Sequence, residues 1–258
     1  HHHAFFWDDG TITDLGNPSG ESYEYVTATS INDSGQITIA SLITQGPRQA
    51  SIWENGIFTM LNTPSYASYF SPKAINNNGV VVGDMYYNQN TNPSIFRRGF
   101  FWSNGNFTNL GSLSANPSAG SSRASGINDD GQIVGESINF EGTAVTAILW
   151  ENNTLFDLND LLDLSGQGWT LSSAQAINPS GQIVGRALDP NAPIRGFLLT
   201  ALPEPTSIVT SYEAGISLSN FSLSLSNDSQ NTQNPTEPSA ARILDSENLA
   251  APAEVTLR

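Results

Sequence analysis

Residues 99–110 read Gly-Phe-Phe-Trp-Ser-Asn-Gly-Asn-Phe-Thr-Asn-Leu, and this stretch decides the fold. An aromatic run ends in Trp102, an Asn-Gly pair follows at 104–105, and a second extended run closes on Leu110. Asn-Gly tolerates positive φ at both central positions of a tight turn, so the stretch predicts a β-hairpin. The pattern recurs at Ala4 to Trp7, Ala50 to Trp53 and Ala147 to Trp150, with a degenerate fifth copy at Gly196-Phe197-Leu198-Leu199. The four tryptophans stand 46, 49 and 48 residues apart. A leucine follows each by eight residues, at Leu15, Leu61, Leu110 and Leu158, and the other turns read Asp9-Gly10, Asn55-Gly56 and Asn152-Asn153.

Between these hairpins lies a second signature, Ile-Asn-x-x-Gly, at Ile31 to Gly35, Ile75 to Gly79, Ile127 to Gly131 and Ile177 to Gly181. Gln36-Ile37, Val80-Val81, Gln132-Ile133 and Gln182-Ile183 follow, and three of the four copies run on to a glycine, Gly83, Gly135 or Gly185. This predicts strand, tight turn, strand. Each module of about 48 residues then holds four short strands that cannot bury both faces alone. The expected fold is all-β: a β-propeller-like array of about four four-stranded blades, with the recurring indoles packed between them. The only competing helical signal, Leu155 to Leu164, predicts a single turn. Two forms stay open. In a closed ring, Thr11 to Leu15 pairs beside Gly196 to Leu199; the alternative is an open arc from a longer repeat.

These motifs resemble the HAF-repeat family of bacterial extracellular repeat proteins. The motif behind the family name stands as His3-Ala4-Phe5-Phe6-Trp7, followed by Thr13-Asp14-Leu15-Gly16, and Ile-Asn-x-x-Gly-Gln-Ile-Val-Gly is intact at 127–135 and 177–185. Residues 157–199, with Gly168-Trp169-Thr170-Leu171, look like the family's terminal repeat. Departures are Ala50-Ser51-Ile52 at the second Trp strand and Ile39 where the family has glycine. The resemblance covers roughly residues 3–200. It implies an exported bacterial protein, often at the cell surface, with no established enzymatic activity.

The domain expectation is a repeat domain over 1–200 and a Ser/Asn/Pro-rich tail over 201–258. Pro203-Glu204-Pro205 is similar to the start of a PEP-CTERM sorting signal, but neither an apolar helix nor a basic cluster follows. A polar tail of this kind buries too little to offset its ordering entropy. Within it, the alternation from Ile216 to Leu225 predicts a strand over 215–225. Residues 239–250 predict a short helix, and strand addition to an open sheet edge predicts self-association.

Composition narrows the chemistry. Twenty-four acids against nine bases give a net charge of −15, which repels phosphate backbones, so no nucleic acid partner is expected. No apolar run is long enough to predict a membrane span. Cysteine is absent, and the only histidines are His1, His2 and His3 at the N-terminus, expected to be mobile. Nucleophilic catalysis therefore lacks a histidine base within the repeats. The Asn32-Asp33-Ser34-Gly35, Asn76-Asn77-Asn78-Gly79 and Asn128-Asp129-Asp130-Gly131 loops are rich in oxygen but lack the distal bidentate glutamate of a calcium loop, so they read as turns. No catalytic residue, cofactor or metal is expected.

The functional expectation is a non-catalytic structural, scaffolding or binding protein, extracellular or at the cell surface, that forms filaments through its tail. A glycan-binding propeller is the alternative, with Trp169 the indole expected to be most exposed. A carboxylate glycoside hydrolase comes third, on Asp14, Asp84, Glu136 and Asp157. Asp14 and Asp157, however, share a repeated position with Met60 and Asn109, as a fold determinant would.

Overall fold

The computed structural model describes residues 2–18, 23–44, 48–62, 64, 67–87, 96–114, 120–139, 144–162, 168–189, 192–201, 241–244 and 255–256. Strands β1 (Phe5–Asp8) and β2 (Thr11–Asp14) form a two-stranded half-blade. Three four-stranded antiparallel blades follow. The first holds β3 (Tyr23–Ile31), β4 (Ile37–Ile43), β5 (Arg48–Glu54) and β6 (Ile57–Met60). The second holds β7 (Ala67–Ile75), β8 (Val81–Tyr87), β9 (Phe96–Ser103) and β10 (Asn106–Asn109). The third holds β11 (Ser121–Ile127), β12 (Ile133–Ile138), β13 (Val145–Glu151) and β14 (Thr154–Asp157). A 3-10 turn at Leu158–Leu161 leads to the fourth blade, β15 (Thr170–Ile177), β16 (Ile183–Asp189) and β17 (Ala192–Ala201), extended by β18 (Ala241–Leu244) and β19 (Val255–Thr256).

The turns have the expected chemistry. Asp9-Gly10, Asn55-Gly56, Asn104-Gly105 and Asn152-Asn153 all have positive φ at both positions, as a two-residue hairpin requires to match strand twist. Register repeats from blade to blade. Trp53 faces Ile37 and Phe58, Trp102 faces Val81 and Phe107, and Trp150 faces Ile133 and Leu155. The two departures from the family pattern meet in one cross-strand pair. Gly83, Gly135 and Gly185 lie opposite Phe100, Ile148 and Phe197, whereas Ile39 lies opposite Ser51. Large faces small in every blade, with the order reversed in the first.

Successive blades stack through the first strand of the later one: β7 packs on β3, β4 and β5, β11 on β7, β8 and β9, and β15 on β11, β12 and β13. Each junction is a separate apolar cluster. Phe70 and Phe100 meet Ala50, Ile52 and Leu61 at one; Ala124 and Ile127 meet Val82 and Leu110 at the next. Leu171 and Ala174 meet Val134 and Leu158 at the third. Among the described residues no comparable packing joins the last blade to the first, so the propeller-like array is not closed there.

The position beside β17 belongs to β18, with Leu199 facing Ile243 and Thr200 facing Arg242, while β2 pairs with β1. Ring closure by Thr11 to Leu15 is therefore not the arrangement adopted. The helix expected over 239–250 is likewise replaced at Ala241–Leu244 by a strand. An edge with unpaired N–H and C=O groups accepts an extended segment more readily than a helix. The strand expected over 215–225 lies outside the described residues. Among the described residues no helix is long and apolar enough to cross a membrane.

Candidate functional site

The carboxylates fall into two groups. Asp14 Oδ1 accepts from the Gly16 N–H (2.9 Å) and Asp157 Oδ1 from the Asn159 N–H (2.8 Å), as Asn109 Oδ1 does from Gly111 (2.9 Å). These acids close the turn after the fourth strand. The Gly16 hydrogen bond, then His3, holds the Asp14 carboxyl below its usual range. His3 Nδ1 lies 2.8 Å from Asp14 Oδ2, and the Val26 N–H donates to the His2 carbonyl (2.9 Å). His2 and His3 are thus tied to the half-blade and β3, where the sequence predicted a mobile end.

Asp84 and Glu136 form the second group. They occupy equivalent positions on β8 and β12, each following the blade's glycine. Asp84 is 1% exposed, and neither carboxylate oxygen has a hydrogen-bond partner among the described residues. Arg97 Nη1 is 3.5 Å away, and Glu136 is paired with Arg123. Burial pushes the Asp84 carboxyl up, opposed by the charges of Arg97, Lys73 and Arg123. This is an ion-paired cluster beside the second and third blades, with Glu136 committed to an arginine.

The Ile-Asn-x-x-Gly loops do something that the turn reading missed. Each asparagine first closes its own loop: Asn32 Oδ1 accepts from the Ser34 and Gln36 N–H groups, Asn76 Oδ1 from Asn78 and Val80, and Asn178 Oδ1 from Ser180 and Gln182. Its amide then crosses to the next blade. Asn32 Nδ2 donates to the Asn76 carbonyl (3.0 Å), Asn76 Nδ2 to the Asn128 carbonyl (3.0 Å), and Asn128 Nδ2 to the Asn178 carbonyl (3.4 Å).

Gln36, Gln132 and Gln182 continue the network to Glu54, Glu151 and Thr200. A parallel ladder joins the Asp33 N–H to Asn77 Oδ1 and the Asn77 N–H to Asp129 Oδ1; it stops at Pro179, whose side chain has no acceptor. The Oδ1 of each of the four loop asparagines is thus spent on hydrogen bonds. Among the described residues no group of three or more His, Asp or Glu side chains could hold a metal ion.

The ladder has two ends, and among the described residues the apolar surface is uncovered at both. Ile31 is 51% exposed, whereas the equivalent Ile75 and Ile127 are 6% and 9%. Trp7 is 61% exposed against 8% for Trp102, and Phe5 is 63% exposed against 0% for Phe100. At the far end Val184 is 43% exposed, while Val82 and Val134 at the same position are fully buried. Trp169, which the sequence marked as the most exposed indole, instead packs half-buried against the last core cluster; Trp7 is the one in solvent. Neighbouring blades decide which copy of a repeated residue is covered. The ends of the array, with their apolar faces and the Asn178 amide, which among the described residues donates only within its own loop, are the candidate site.

Models of known protein families gave no match to the chain, and a comparison with curated protein sequences gave none either.

Proposed function

We propose that the chain is a non-catalytic, exported bacterial repeat protein of the HAF-repeat kind, which scaffolds or binds at the cell surface or in an extracellular matrix by associating through its ends. The observation behind this reading is the contrast between interior and terminal copies of one position, Ile31 against Ile75 and Ile127, and Val184 against Val82 and Val134. Covering an aliphatic side chain of this size is worth about 1.5–3 kcal/mol, which favours association once the charge of −15 is screened. The C-terminal strand β18 supports the filament form of the reading: a segment that completes the edge of β17 in its own chain can exchange with a neighbouring copy.

Sedimentation velocity at rising protein concentration, in low and moderate salt, tests the reading. The wild-type chain is expected to sediment faster with concentration, more so in salt. Ile31→Asp and Val184→Asp, each confirmed folded by circular dichroism, are expected to stay monomeric. A wild-type chain that is monomeric throughout, or variants that assemble equally well, would refute it.

Glycan binding is the second reading, and Phe5 and Trp7, exposed together on β1, favour it. Binding on a glycan array that is lost in Trp7→Ala would move the assignment there.

A further inference from the structure

Two interior junctions of the array are closed by an indole from the later blade. Between the first and second blades, Trp102 packs in one cluster with Ile52 and Leu61. Between the second and third, the Trp150 ring lies 5.1 Å from that of Phe101, in a cluster with Val80, Leu110 and Ile133. The junction between the third and fourth blades departs at three of these positions. Leu199 stands in the place of Trp150, Leu149 in that of Phe101 and Gln132 in that of Val80. Two side chains are smaller and the third is polar, and a cleft of about 240 Å³ opens over Leu149, Leu158, Ile177 and Ile183. We infer that this cleft binds a small aromatic ammonium compound, its ring lying where the other junctions hold an indole and its cation at Asp130.

The rim selects the cation. One junction earlier, Asn78 Nδ2 donates to the Asp129 carbonyl (2.8 Å), and the Asn77 N–H donates to Asp129 Oδ1. Here Asp130 stands in the place of Asn78, and Pro179 in that of Asp129. An ionised carboxylate only accepts and a proline side chain offers no acceptor, so neither rung can form. Asp130 instead lines the cleft with Pro179 and Ser180, exposed and joined to no base among the described residues. Gln132, also in the lining, donates to Glu151 Oε1 (2.7 Å), which places a second carboxylate behind the first. The floor is aliphatic, so it suits a ring held by burial and gives a sugar no aromatic face to stack on. Ring burial supplies affinity, and the carboxylate supplies the choice of charge. The site lies inside the array and needs nothing of the reading of its ends.

Tryptamine, which carries an ammonium on the ring that Leu199 replaces, is the probe. Titrated into the full chain at low salt, it is expected to shift the methyl NMR signals of Leu149, Ile177 and Ile183 saturably, with a Kd of about 1 mM or below. The methyls of Ile52 and Val82, at the closed junctions, are expected to stay put. Binding is expected to weaken as salt is raised. Asp130→Asn, at an exposed position, is expected to fold as wild type and to bind about threefold more weakly. Leu199→Trp, confirmed folded by circular dichroism, is expected to lose binding because its own indole takes the space; Leu149→Phe serves if that variant does not fold. Indole-3-acetate, with the charge reversed on the same ring, is expected to bind about tenfold more weakly than tryptamine. No methyl shift at roughly ten times the expected Kd overturns the inference. Equal binding of tryptamine by the Asp130→Asn or the filled chain overturns it too, as does equal binding of indole-3-acetate.

Discussion

Asn76→Ala is expected to destabilise the fold by about 3 kcal/mol, a fall in melting temperature of roughly 6–12 °C for a chain of this size. Asn76 is 5% exposed, and its side chain serves three backbone groups: the Asn78 and Val80 N–H groups and the Asn128 carbonyl. Alanine leaves all three to water that reaches them poorly, and a buried polar group left unpaired costs about 1–3 kcal/mol. Asn76→Asp separates the two halves of that role. It retains the acceptor for Asn78 and Val80 but turns a carboxylate oxygen toward the Asn128 carbonyl, so near neutral pH its effect is expected to be at least as large. Burial beside a carbonyl raises the new carboxyl's folded pKa above its unfolded value. The penalty is therefore full above the folded pKa and is relieved as the pH falls through it. Thermal melts of wild type and both variants across pH 4–8 check this. Equal melting temperatures for Asn76→Ala and wild type would remove the ladder's energetic role.

Gly135→Ala is expected to be more damaging than a methyl group suggests. A Cβ on Gly135 would lie 1.9 Å from the Arg123 carbonyl oxygen, 2.9 Å from its carbon and 3.1 Å from the Ala124 Cα, all of them backbone. No side chain can swing aside, so β11 must move away from β12 at a bulge that already shifts register between Ala124 and Gly126. Forced overpacking costs about 1–3 kcal/mol, and here the loss falls at the upper end because the third blade is packed on both faces. Gly196→Ala is the internal control: its new Cβ meets only the Gly185 carbonyl oxygen at 3.9 Å, and Gly196 is exposed. Urea denaturation of the two variants is expected to show a lowered midpoint for the first and one within error of wild type for the second.

What the sequence disclosed follows from how local each determinant is. The Asn-Gly hairpins and the β-branched arms after each Ile-Asn-x-x-Gly turn act over a few residues, so blades, strand number and turn conformation were all legible. The asparagine ladder acts over 44 to 52 residues. A turn reading of Asn32 was correct as far as its Oδ1 and blind to its Nδ2. The one available sign was that asparagine holds in all four copies while the two residues after it vary. Exposure of Trp7 and burial of Trp169 were illegible for a related reason: a repeated residue is covered or not by its neighbours in the array, and its own sequence is the same either way. The tail was misread at Ala241–Leu244. Its alanines and leucines suit a helix, yet the edge of β17 takes this segment as a strand, a pairing across about forty residues that no local spacing reveals. Asp84 and Glu136 were picked out as carboxylates, but their arginine partners lie on β9 and β11, and no local spacing reveals that.

The central claim is that one asparagine per blade couples an open stack, its amide donating to the next blade at Asn32, Asn76 and Asn128 and only to Gln182 of its own loop at Asn178. Side-chain amide hydrogen exchange, measured by NMR in dilute, low-salt solution, tests it most directly. The cross-blade Nδ2 proton of Asn32, Asn76 and Asn128 is expected to exchange about tenfold or more slowly than the Asn178 Nδ2 proton that is not given to Gln182. Four asparagines that exchange alike, or an Asn178 slower than the other three, would contradict the account.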